Sequence, residues 1–147
     1  KILDILDEDI QEVAACITAK CYKAACIMCG SILETFLKDW LSEITGKDFN
    51  AVKPERINPL LVDNKLLKKE DVNSHRLYNY ILATKNYHER LHEDWQDLYD
   101  KAVMIRYNRN KVHASLCEDT GYVFDEALCE TVLENLQSII RSRFAYF

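Results

Sequence analysis

Three polar residues in the stretch 101–113 have the spacing and the chemistry of an anion-binding site. Arg106 and His113 are seven residues apart and Asn110 lies between them, so a helix would carry all three on one side. A guanidinium, an amide and an imidazole together suit a phosphate or a carboxylate. Asn108 and Lys111 are further candidates for contacting such a ligand. The spacing alone leaves open a simpler interpretation, a solvated helix end.

A fourth polar residue of this stretch falls on the apolar side of the predicted helix. The apolar positions follow steps of four and three, and they are Leu91, Trp95, Leu98, Ala102, Ile105, Arg109 and Val112. Glu34 interrupts an earlier apolar pattern in the same way; the expected inward positions of that helix are Lys23, Ile27, Gly30, Glu34, Leu37, Leu41 and Ile44. Because a lone buried charge is costly, we predict a structural ion pair between Glu34 and Arg109.

The composition favours one domain built from long helices. The chain has 147 residues, 48% of them hydrophobic, with only 3 Gly and 2 Pro to interrupt regular structure. Its formal net charge of −5 argues against a general DNA-coating protein, although a local basic patch is compatible with it. A start at Lys1 suggests one domain of a longer chain.

The cysteines and the hydropathy pattern indicate in which cellular compartment the protein is expected. The chain has 6 Cys, at positions 16, 21, 26, 29, 117 and 129, and we interpret them as buried free thiols in a reducing compartment. No apolar run approaches the roughly 20 residues that a membrane span requires. We therefore expect a cytoplasmic protein without a membrane segment.

The periodicity predicts an all-α bundle of four to five main helices with a variable helical insert. We expect helices over 3–18 and 22–44, with Gly30 allowing a close helix approach and Gly46 ending the second helix. Residues 46–74 form the insert, with one short helix near 57–67. Asn73 or Ser74 would cap a helix over 75–84, a long helix follows over 87–113, and Asp125 caps a last one.

These residues resemble the higher eukaryotes and prokaryotes nucleotide-binding (HEPN) superfamily of α-helical domains. Its motif is an arginine followed, after four to six residues, by a histidine, and six residues separate Arg106 from His113. Arg109-Asn-Lys-Val-His113 is similar to a form common in bacterial members. The stretch 22–34, with its paired alanines, a glycine and Leu-Glu, resembles the family's early helix. The resemblance covers about 5–143.

The resemblance implies a metal-independent endoribonuclease of a toxin or defence type, or a catalytically inactive interaction module on the same fold. Arg106 would stabilise charge on the phosphate and His113 would move a proton, with no cofactor. Tyr107 stands where the family usually has a polar residue, and Asn108 or Asn110 would substitute for it. The implied partners are RNA, a second copy in a homodimer and an antitoxin or further domains.

A rival motif points to a different class of protein. His88-Glu-Arg-Leu-His92 matches the helical zinc site of many metallopeptidases, in which a spacing of four puts both imidazoles on one helix face. Glu89 would be the general base. Arg90 between the ligands and the lack of a following ligand motif weaken this remote alternative. An exposed helix start is the simpler interpretation.

Overall fold

In the computed structural model, the described part of the chain comprises residues 1–112 and 122–145, and there it is all-α, as the sequence predicts. These residues contain six α-helices, one 3-10 helix and no strand. The α-helices are α1 (Ile2–Thr18), α2 (Tyr22–Thr45), α3 (Pro54–Asp63), α4 (Arg76–Arg90), α5 (Gln96–Lys111) and α6 (Glu126–Arg141). The 3-10 helix is Lys69–Asp71. Within the described ranges, none of these helices combines the length and the apolar content needed to cross a membrane.

Local sequence features explain where several helices begin and end. Asp125 caps α6, since its Oδ1 accepts a hydrogen bond of 2.8 Å from the backbone N–H of Leu128. Gly46 follows the last residue of α2 with φ at 70°, a left-handed conformation that ends helices. Both predictions are confirmed. The N-cap of α4 is His75, and Asn73 instead accepts from the His75 backbone N–H at 2.7 Å.

The chain divides into two compact units. One comprises residues 1–33 and 101–147, and the other comprises residues 34–100. In the first unit α1 packs against α6. Two hydrogen bonds join α5 to α6: Lys101 Nζ donates to Ser138 Oγ at 3.1 Å, and Asn135 Nδ2 donates to Met104 Sδ at 3.3 Å. The second unit has its own core, which includes Phe36, Leu37, Leu41, Phe49, Leu61, Tyr80, Ile81 and Trp95.

The predicted boundary between the helices over 75–84 and 87–113 is wrong. Helix α4 continues to Arg90, and α5 begins only at Gln96. His92 has φ at 62°, which interrupts a right-handed helix, and Asp94 Oδ1 accepts from the Gln96 backbone N–H at 3.0 Å. Leu91, expected in the apolar pattern, is 49% exposed.

The buried face of α2 also differs in its first turns from the expected one. Ile27 is 43% exposed, whereas Cys26, Cys29 and Leu33 are buried. The apolar residues on both sides of the helix made its first two turns ambiguous. Gly30, Leu37 and Leu41 are buried as predicted.

Candidate functional site

The last two turns of α5 carry most of the residues that the sequence marks as a site. Arg106 and Asn110 are four positions apart on the helix and are both half-buried. This spacing puts the guanidinium and the amide on the same side of α5. Lys111 is the final residue of the helix and is also half-buried. His113 lies outside the described residues, so its predicted role stays a prediction.

Asn108 is a structural residue in this arrangement. Its side chain is 2% exposed, and its amide N–H donates to the Met104 carbonyl at 2.9 Å. Its amide oxygen accepts a hydrogen bond from the Tyr122 hydroxyl. Since both ends of the amide have partners, the burial of Asn108 argues against the predicted contact with substrate. The bond instead fixes the segment before α6 to α5.

Arg109 packs across Gly30, within the unit formed by residues 1–33 and 101–147. A Cβ atom added at Gly30 would lie 2.9 Å from Arg109 Cγ and 3.0 Å from its Cβ. These separations are shorter than an ordinary contact between carbon atoms. The predicted close approach at Gly30 is therefore confirmed, and the partner helix is α5.

The predicted partner of Arg109 belongs to the other unit. Within residues 34–100, Glu34 lies close to Tyr80, and the pKa of this buried phenol is raised first by burial and then by the Glu34 charge. Glu34 itself is half-buried. The Glu34–Arg109 ion pair stays a prediction.

An aromatic cluster beside the motif was not expected from the sequence. The Tyr107 ring, 49% exposed, lies edge-on to Tyr122 with 6.0 Å between centroids, and Tyr122 contacts Phe124 at 5.2 Å. Lys111 Nζ lies 5.4 Å from the Tyr107 centroid and 6.0 Å from that of Tyr122, within reach of a cation–π interaction. The sequence indicator was the run Tyr122-Val-Phe124 directly before the Asp125 cap.

The structure contradicts the zinc alternative. Helix α4 ends at Arg90, so His88 and His92 do not share a helix face, and His92 is exposed in a left-handed conformation. His88 is only 8% exposed, and its Nδ1 lies 3.0 Å from Glu93 Oε2. Nowhere in residues 1–112 or 122–145 do three His, Cys, Asp or Glu side chains form a group that could hold a metal ion.

The His88 ring belongs to an aromatic core instead. It stacks parallel to Trp95 with 5.5 Å between centroids and meets Trp40 edge-on at 4.8 Å. Its Nε2 is buried, and no described residue forms a hydrogen bond with it. The neighbouring Glu89 is exposed and pairs with Lys85 at 2.8 Å. These contacts give His88 a packing role and leave Glu89 on the surface.

Three cysteines form a buried group, and burial raises the pKa of all three thiols. Cys26 and Cys129 have their sulfur atoms 3.9 Å apart, and Cys29 is also buried. Burial, followed by the neighbouring Cys129, raises the pKa of Cys29 to about 12, and burial likewise raises the pKa of Cys26 and of Cys129. Since the thiolate is the nucleophile, these thiols are poor candidates for catalysis. The expectation of buried thiols is wrong for Cys21, which is exposed.

Comparisons with protein-family models, with curated proteins and with solved structures found no match to this chain. The end of α5 and the residues packed around it are therefore the features that bear on function.

Proposed function

We propose that this chain is a HEPN-like domain that cleaves or binds RNA, acting as a metal-independent endoribonuclease of a toxin or defence type. The observation that carries the proposal is the end of α5. There, Arg106 and Asn110 share one side of the helix shortly before His113, and Lys111 lies beside the exposed Tyr107 ring. Cationic and aromatic groups at one helix end suit the phosphates and bases of RNA.

The proposed reaction is an internal transfer at phosphorus. The ribose 2′-oxygen forms a bond to the adjacent phosphorus, and the bond from phosphorus to the leaving 5′-oxygen breaks. His113 takes the proton of the 2′-hydroxyl, and the imidazolium that results delivers this proton to the leaving 5′-oxygen, so atoms and charge balance. Arg106 stabilises the negative charge that accumulates on the phosphate oxygens.

Cleavage of a fluorogenic RNA in EDTA tests this proposal. We expect the wild-type chain to cut the RNA, and Arg106→Ala and His113→Ala each to lower the rate by about 100-fold or more. Circular dichroism and thermal melting should show that both variants stay folded, because neither side chain belongs to the predicted core.

Matched variants control for the loss of charge alone. Arg56 and His75 are exposed, on α3 and before α4, and Arg56→Ala and His75→Ala should cut RNA at the wild-type rate. Undiminished cleavage in Arg106→Ala or His113→Ala would remove the catalytic assignment. Cleavage that requires added Mg²⁺ would refute metal independence.

The second candidate function is a non-catalytic interaction module on the same fold. The observation that favours it is Tyr107, an exposed aromatic residue directly after the motif arginine. Binding of a protein partner such as an antitoxin by a chain that neither binds nor cleaves RNA would support this function.

We propose that the protein acts in the cytoplasm. The support is chemical, because Cys16, Cys21, Cys26, Cys29 and Cys129 are all free thiols in the described residues, as expected in a reducing compartment.

A further inference from the structure

A groove lies between the α1–α2 turn and the segment before α6, and Tyr122 of that segment is hydrogen-bonded to Asn108 of α5. Its volume is about 530 Å³. Small ligands occupy sites of about 300–1,000 Å³. The groove is lined by Lys20, Cys21, Tyr22, Lys23, Ala24, Tyr122, Val123 and Phe124. All of these residues belong to the unit of residues 1–33 and 101–147.

Both walls of the groove are held in place. On one side, Lys20 has φ at 62°, and the Cys21 backbone N–H donates to the Cys16 carbonyl at 2.8 Å, which sets the turn into α2. On the other side, the Tyr122 hydroxyl donates to Asn108, and the Asp125 cap follows directly. A groove with fixed walls binds a ligand with little loss of conformational entropy.

The charges in the groove are unevenly distributed. Lys20 and Lys23 are exposed, and Lys111 lies near the Tyr122 ring. Carboxylates lie near this groove too, and the pKa of the Tyr22 phenol is raised first by burial and then by neighbouring negative charges that include Glu126, Asp125 and Glu130. We therefore expect an anionic group to lie beside the two lysines rather than beside Glu126.

We propose that this groove binds an unpaired nucleotide of RNA that flanks the cleaved phosphate. Its base would stack on Tyr122 and Phe124, and its phosphate would lie at Lys20 and Lys23. Base stacking on aromatic rings within a cationic groove is how proteins hold single strands. The inference rests on the proposed function, since the Tyr107 ring, next in sequence to Arg106, connects the groove to the motif through Tyr122.

Binding of a labelled single-stranded RNA, made uncleavable by 2′-O-methylation and measured by fluorescence anisotropy in EDTA, tests the groove. We expect Phe124→Leu to weaken binding roughly 5-fold to 150-fold, which corresponds to about 1–3 kcal/mol for a stacked base. Phe124→Trp should keep the wild-type affinity. Tyr122 is left intact because its hydroxyl also bonds Asn108.

The lysines are tested with a matched pair of double variants. Replacing both Lys20 and Lys23 by Gln should weaken binding and reduce its salt dependence, by about 0.7 in the logarithmic slope for each phosphate that is no longer neutralised. Lys47 and Lys53 are also exposed but lie outside the groove, and replacing both by Gln should leave affinity and slope unchanged.

An RNA series with one abasic nucleotide at successive positions separates stacking from a folding defect. The wild-type protein should bind more weakly to the RNA that lacks the base at one flanking position. Removal of the same base should not change the affinity of the Phe124→Leu protein. Undiminished sensitivity at that position in Phe124→Leu would overturn the proposal. So would groove variants that change self-association without changing RNA affinity, because the groove would then hold a second copy of the chain.

The two proposals fail in different ways. If Arg106→Ala stops cleavage while both groove variants bind RNA like the wild type, the groove assignment is refuted and the nuclease assignment stands. If the wild-type chain neither binds nor cuts RNA, the proposed function fails, and the groove assignment fails with it.

Discussion

Gly30 and Arg109 control how closely α2 and α5 approach each other. The atoms that an added methyl group would meet include Arg109 Cβ, which is bonded directly to the backbone of α5 and cannot move without it, and Arg109 Cγ, one bond further out. Replacing a glycine by alanine inside a helix ordinarily stabilises a protein by about 0.5–1 kcal/mol. Overpacking a close contact costs about 1–3 kcal/mol. The two effects oppose each other, so the sign of the change in the free energy of unfolding shows whether α5 lies close enough to Gly30 to clash with an added methyl group.

We predict that Gly30→Ala lowers the free energy of unfolding by about 1–2 kcal/mol because steric overlap outweighs the gain in helix propensity. Urea denaturation at neutral pH measures it. Ser31→Ala is the matched control, since Ser31 is the exposed neighbour of Gly30 on the same helix and its change should be small or stabilising. A Gly30→Ala protein more stable than the wild type would contradict the close approach of α5.

The break between α4 and α5 divides the long helix that the sequence predicts over 87–113. With φ at 62°, His92 has a conformation that strains a side chain with a Cβ atom and leaves glycine unstrained. We predict that His92→Gly raises the free energy of unfolding by about 0.5–1 kcal/mol, because relief of about 1–2 kcal/mol of left-handed strain exceeds the roughly 0.4–1 kcal/mol that glycine's added freedom in the unfolded chain costs. The measurement is denaturation in urea, with and without a zinc chelator, and the chelator should change neither protein.

The control for His92→Gly is His75→Gly. His75 is exposed with an extended backbone, at φ −94° and ψ 100°, so glycine there only adds freedom to the unfolded chain and should destabilise the protein slightly. If 87–113 were one continuous helix, as the periodicity predicts, His92→Gly would instead cost about 1 kcal/mol. A loss of stability in His92→Gly would therefore support one continuous helix over 87–113 and contradict the break between α4 and α5.

The sequence predicted elements better than it predicted their contacts. Asp125 and Gly46 are local features, and each ends or begins a helix where expected. The break at 91–95 was missed because Leu91 and Trp95 continue the helical spacing and no glycine or proline interrupts it. Asp94, which accepts from the Gln96 backbone, was the available indicator.

At the site, the sequence could mark residue types but not their surroundings. The types and spacing of Arg106 and Asn110 were visible as a candidate anion site. The burial of Asn108 was not, because it depends on the Tyr122 hydroxyl, which comes from a segment distant in sequence. The groove could not be predicted from the sequence either, since its two walls are about a hundred residues apart along the chain and only the tertiary fold brings them together.

For the whole molecule, charge decides what kind of RNA contact is feasible. The chain has 24 Asp and Glu against 19 Lys and Arg, so its net charge of −5 opposes association with a polyanion at long range. The proposed binding of RNA would then depend on a few local cations and on stacking. Such a surface favours short unpaired segments over long duplexes, which require many phosphate contacts.

The same chain is expected to act as a homodimer, and mixing two inactive variants tests whether one site needs both copies. If Arg106 of one copy works with His113 of the other, a dimer of one Arg106→Ala and one His113→Ala chain contains one intact pair. Random exchange should then restore roughly a quarter of the wild-type RNA cleavage, because half of the dimers are mixed and each has one of two sites. If both residues act within one copy, mixing should restore nothing. Light scattering on the mixture must show dimers, and a monomeric wild type that cuts RNA would refute the shared site.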